Sequence, residues 1–78
     1  MSPWEKRVHD DADAVYALLM AEYAAGHKRP LSIAALATRT RRSRDRINAA
    51  LGDLVSLRKT VGVVGDSPDR PQFYPLNG

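Results

Sequence analysis

The chain has 78 residues, no cysteine and a formal net charge of +3. That is one domain, near the lower size limit for folding without staples, and disulfides and zinc–thiolate sites are excluded. No apolar run approaches the roughly 20 residues a membrane helix needs, and the opening MSPWEKRVHDD lacks the apolar stretch of a secretory signal, so a cytoplasmic protein with no membrane partner is expected.

Ser2-Pro3-Trp4-Glu5 has the form of a capping box, with Ser2 as N-cap, Pro3 at the first helical position and Glu5 reaching back. Trp4, Val8, Ala12, Val15, Leu19 and Tyr23 recur every three or four residues, which is one helical stripe. The acidic Asp10, Asp11 and Asp13 interrupt it, and Asp10 or Asp11 is placed to cap a fresh helix. The spacing predicts a helix over residues 11–25, with 1–10 as a separate capped extension and 11–78 as the domain. Gly26 is the expected left-handed stop. The acidic cluster is explained by the helix dipole, which favours carboxylates at a helix start. Trp4 and Val8 are expected to cover the domain's own core, or alternatively to meet a second copy.

Lys28 to Leu31 is an extended link, since the residue before Pro30 is pushed out of helical space. Ser32 caps a second helix over about 33–39, with Ile33, Leu36 and Ala37 inward. Thr40-Arg41-Arg42 forms the turn. Ser43 caps a third helix over 44–57, with Ile47, Ala50, Leu51 and Leu54 on its buried side. Residues 59–64 are rich in β-branched side chains and predict a strand. The stretch 65–71 is dense in turn formers, and 72–76 predicts the returning strand, Pro75 marking an edge or the end of the ladder.

This order of three helices and a two-stranded hairpin resembles the winged helix-turn-helix superfamily. The best-matched residues are L-S-I-A-A-L-A at 31–37, then Ser43 with Ile47, Leu51 and Leu54. The resemblance implies a mainly α fold of order α-α-α-β-β, a small β-hairpin wing, and DNA binding through the third helix in the major groove. Two positions depart from it. Many members have Gly in the turn, where this chain has Arg41, and Gly before the first wing strand, where it has Arg58.

Charge points the same way. From His27 to Lys59 there are nine basic residues and two acids, while the rest of the chain has three bases and seven acids. A basic patch crowding one turn suits phosphate. The expected phosphate contacts are Arg39, Arg41, Arg42, Ser43, Arg46, Arg58 and Lys59. On the outward side of the third helix, the expected base contacts are Arg44, Asp45, Asn48 and Ala49. Asn48 suits an adenine edge, Arg44 a guanine or a phosphate, and Asp45 a cytosine amino group or a neighbouring arginine. Gly52, costly in a helix by about 1 kcal/mol relative to Ala, suggests that a groove wall or partner helix packs close, or that it relieves local crowding. Arg70 suits a narrow minor groove as the wing residue, or belongs to an ordinary polar loop.

No Ser/His/Asp set, Gly-rich phosphate loop or second acidic cluster is visible, and His9 and His27 are far apart. An enzyme, a metal, a cofactor and a small-molecule effector site are therefore not expected. The expectation is a small sequence-specific regulator of transcription on double-stranded DNA, alone, as a homodimer or with a protein partner. The rival is a winged-helix adaptor whose arginines meet an acidic protein. Leu51→Ala is expected to weaken the fold badly, and Arg42→Ala to leave it intact while weakening DNA binding.

Overall fold

A computed structural model describes residues 2–27, 29–65 and 69–76. The first helix, α1, spans Pro3–Ala24 without a break. The Ser2 side chain accepts from the Glu5 backbone N–H at 3.2 Å, and its hydroxyl donates to Glu5 Oε1 at 3.4 Å. That cap starts the helix, so the expected division near residue 10 falls inside it. Gly26, at φ +89°, lies just past its end in the left-handed region open to glycine.

Next come β1, Leu31–Ser32, and α2, Ile33–Thr40. The Ser32 side chain accepts from Ala35 N–H at 3.2 Å, the cap expected. Helix α3, Arg44–Gly52, opens on Ser43, which accepts from Arg46 N–H at 3.2 Å. The chain stays helical after Gly52 but widens into a π-helical turn, Asp53–Leu57. Strands β2, Val61–Val64, and β3, Gln72–Pro75, form an antiparallel hairpin in which Gly62 faces Tyr74 and Val63 faces Phe73.

The class is the one expected: mainly helical, with three helices and a closing hairpin. One strand was not expected. Leu31 and Ser32 pair with Phe73 and Gln72, giving a three-stranded sheet of order β1-β3-β2. Two residues of pairing are too few to give a strand signal in the sequence. Pro75 does end the ladder: β1 does not reach that far, so no neighbour there needs its missing N–H.

Both departures from the expected glycines have a structural answer. Arg41 itself takes the left-handed conformation at the end of α2, φ 57° and ψ 44°. Before the hairpin the left-handed residue is Lys59, φ 54°, not Arg58. Each costs on the order of 1 kcal/mol that glycine would not.

The core is built from one face of each helix: Ala12, Val15 and Leu19 from α1, Leu36 and Ala37 from α2, and Ile47, Ala50 and Leu51 from α3. Leu54, Val61 and Phe73 complete it. The stripe on α1 is therefore shorter than its sequence period. Trp4 is 60% exposed and lies outside the core, so it does not cover the core as expected. Among the described residues, no helix is long and apolar enough to cross a membrane.

Candidate nucleic-acid interface

Asp11 decides how the arginines are distributed. It sits within α1, not at a helix start, and is only 1% exposed. Arg42 Nε donates to its Oδ1 at 2.6 Å. Arg46 holds it with both arms of the guanidinium, Nε to Oδ2 at 2.9 Å and Nη2 to Oδ1 at 2.7 Å. Arg42 Nη1 also donates to the Thr40 carbonyl at 2.9 Å, fixing the turn. Burial alone raises the Asp11 pKa, but the hydrogen bonds from Arg46 and Arg42 outweigh it and hold the carboxyl below its ordinary value. The same contact raises Arg46.

Two further arginines are tied to α1. Arg39 hydrogen-bonds Glu22, which His27 also engages through Nδ1 at 2.8 Å. Those two bonds, Arg39 first, lower the Glu22 pKa. Arg58 donates to Asp13 at 2.7 Å, and its Nε lies 3.1 Å from Asp53 Oδ2, an ion-pair contact short of hydrogen-bond geometry. The bond to Asp13 is the main reason its pKa is raised.

Arg39, Arg42, Arg46 and Arg58 were expected on phosphates, yet each is paired to a carboxylate that lies far away in sequence or in the π-turn. Asp11 and Asp13 are not dipole-solvating caps; Asp11 receives Arg42 of the turn and Arg46 of α3, and Asp13 receives Arg58 just after the π-turn. The lesson for Arg42 is sharpest, because its loss is now expected to weaken the fold.

Arg41, Arg44, Lys59 and Arg70 are exposed and form no ion pair with the described residues. Of these, Arg44 and Arg70 come together. A surface groove of about 300 Å³ is lined by Ile33 and Ala34 at the start of α2, Arg44 and Asn48 on α3, and Asp69, Arg70 and Pro71 of the hairpin loop. Asp66, four residues before Arg70, lies outside the described residues, as does Lys28 of the link. Arg44 and Asn48 are one turn apart, so the Ser43 cap that sets the start of α3 also sets their shared direction.

The other two expected base readers turn elsewhere. Asp45 and Ala49 line a separate depression with Trp4, Arg7 and Val8 of α1. Asp45 makes no ion pair with the described residues, so it does not neutralise a neighbouring arginine. Ser43 spends its side chain on the cap. Gly52 lies between these two flanks, and a Cβ there would meet nothing within 4 Å. Local crowding is thus excluded as its reason. Gly52→Ala is expected to raise stability by about 0.5–1 kcal/mol, since the residue has helical φ and ψ. Thermal unfolding checks this, and a fall in stability would mean that the ridge is more crowded than it looks.

Among the described residues no group of three His, Cys, Asp or Glu could hold a metal ion. Comparisons with family models, curated proteins and solved structures find no match to this chain. Function is therefore argued from the residues and their geometry.

Proposed function

We propose that the protein binds double-stranded DNA as a small winged-helix regulator of transcription, with α3 in the major groove. One observation carries this reading. The arginines divide into a set paired to carboxylates of α1 and the π-turn, and a set that forms no ion pair among the described residues, of which Arg44 and Arg70 line one groove with Asn48. Paired arginines serve the fold; two arginines without an ion pair among the described residues, sharing a groove with an amide on a helix's exposed first turns, suit a nucleic acid. A helix about 10–12 Å across matches a major groove about 12 Å wide.

Each residue then has a distinct part. Asn48 donates and accepts on an adenine edge. Arg44 meets guanine or the adjacent phosphate. Arg70 follows the strand on the hairpin side, and Arg41, in the turn, and Lys59 hold phosphate where the backbone passes them.

The test compares a selected DNA site with random duplex. Asn48→Ala is expected to weaken binding to the selected site by about 1–3 kcal/mol and to leave random duplex nearly unaffected. Arg41→Ala should weaken both alike, because a phosphate carries no sequence information. Equal losses on both DNAs for Asn48→Ala would place the reading face elsewhere. Binding to an acidic protein but to no duplex would favour the adaptor.

A further inference from the structure

We infer that the N-terminal end of α1 forms a second DNA-backbone contact, on the flank of α3 opposite the hairpin, with Arg7 as its cation and the Trp4 indole beside it. This rests on the DNA reading above and extends its footprint. Trp4 is the only tryptophan of the chain, and it is 60% exposed rather than folded into the core. Trp4, Arg7 and Val8 stand at i, i+3 and i+4, so they share one face of α1. That face meets Asp45 and Ala49 of α3 across a depression of about 160 Å³.

The position of this depression is what selects the occupant. On α3, Arg44 and Asn48 turn to the hairpin flank, and Asp45 and Ala49 to the α1 flank. Gly52 stands in open space. A helix lying in a major groove is bordered by two phosphate strands, one on each side. Arg70 serves the hairpin flank. Arg7 serves the other: it is exposed, and it forms no ion pair with the described residues although Asp45 lines the same depression. Indole adds an N–H donor for a phosphate oxygen and an apolar ring for the deoxyribose. Arg46 borders the depression too, but its guanidinium is committed to Asp11. Among the described residues lining this depression, Arg7 is therefore the available cation. With Arg46 committed to Asp11, Arg7 is what offsets Asp45 here, and without Arg7 the lining is net negative and repels phosphate.

A lone tryptophan makes the test direct. Full-length protein is titrated with random duplex, following both labelled-DNA anisotropy and the quenching of Trp4 emission by neutral acrylamide. Arg7→Ala, Trp4→Phe and Arg44→Ala are titrated alongside by anisotropy. Bound duplex should shield Trp4 from acrylamide. Arg7→Ala should reduce the slope of log affinity against log salt by about 0.9, with an unchanged melting temperature. Trp4→Phe should weaken binding while keeping that slope. If Arg44→Ala weakens binding but Arg7→Ala does not, and Trp4 quenches equally with and without DNA, this contact is wrong and the reading at α3 stands. If the wild-type chain binds no duplex, both fall. Shielding of Trp4 that follows protein concentration without DNA, with a doubling of mass, would assign the face to a second copy and overturn the proposal.

Discussion

Replacing Arg42 and Arg46 together by alanine is expected to lower the melting temperature by more than about 10 °C. Both guanidiniums converge on Asp11, whose carboxylate is held inside the domain. With neither partner, Asp11 becomes a buried charge without compensation, which costs about 3–5 kcal/mol when the site is fully enclosed. The Arg42 side chain is 25% exposed and that of Arg46 41%, so water reaches the rim and the low end of that range applies. Each single variant should cost clearly less than half of the double, since the remaining arginine still covers the carboxylate. The outcome against this account is a double variant that melts with the wild type.

The same site sets an acid limit. The folded Asp11 pKa lies below its ordinary value of 3.8, so the folded state favours the ionised form. Its contribution is fully present above that ordinary value and fades as pH falls through the lower, folded one. Glu22, lowered by Arg39 and His27, adds to the loss in the same direction. Stability followed from pH 6 to pH 2 should fall most steeply below about 4, and Asp11→Asn should flatten that fall. An equally steep fall in Asp11→Asn would assign the acid sensitivity to other carboxylates.

Leu51→Ala is expected to cost about 2–5 kcal/mol. Leu51 is 4% exposed on the inner face of α3, in one cluster with Leu36 of α2 and Leu54 of the π-turn. Removing its branched end leaves a void that three backbone segments border, so little can collapse into it. A domain of this size has roughly 4–12 kcal/mol in total, so the variant is expected to be partly unfolded at 37 °C. Chemical denaturation at 25 °C gives the number. A loss under about 1 kcal/mol would mean that α2 and α3 close over the gap.

The periodic elements were legible because their physics is local. Ser32 and Ser43 stand immediately before apolar-periodic runs, and both cap as expected. Ile47, Leu51 and Leu54 follow helical spacing, and all are buried. What could not be read depends on long-range pairing. Nothing in the acidic cluster near residue 11 announces that it will meet arginines more than thirty positions later. A carboxylate amid an apolar stripe, at the same helical phase as buried residues, was the one available signal: Asp11 is four residues before Val15 and eight before Leu19. Read as a core position, it demands a cationic partner, and the arginine-rich turn is the densest supply. The count of basic residues overstated the patch for the same reason. Two residues of β1 escaped notice because they owe their conformation to Phe73 and Gln72, not to their own sequence.

On the proposed function, duplex DNA is bound by the cations around α3 that form no ion pair among the described residues, and not by the full set of arginines. The most direct measurement is the salt dependence of affinity for a random duplex, by anisotropy, for the wild type and for Arg44→Ala. Four phosphate contacts, from Arg41, Arg44, Lys59 and Arg70, give a slope of log affinity against log salt near −3.6; with the contact proposed for Arg7 it approaches −4.5. Arg44→Ala should bring either value about 0.9 closer to zero while leaving the melting temperature unchanged. No binding at low salt, or binding whose slope ignores Arg44, would contradict the claim.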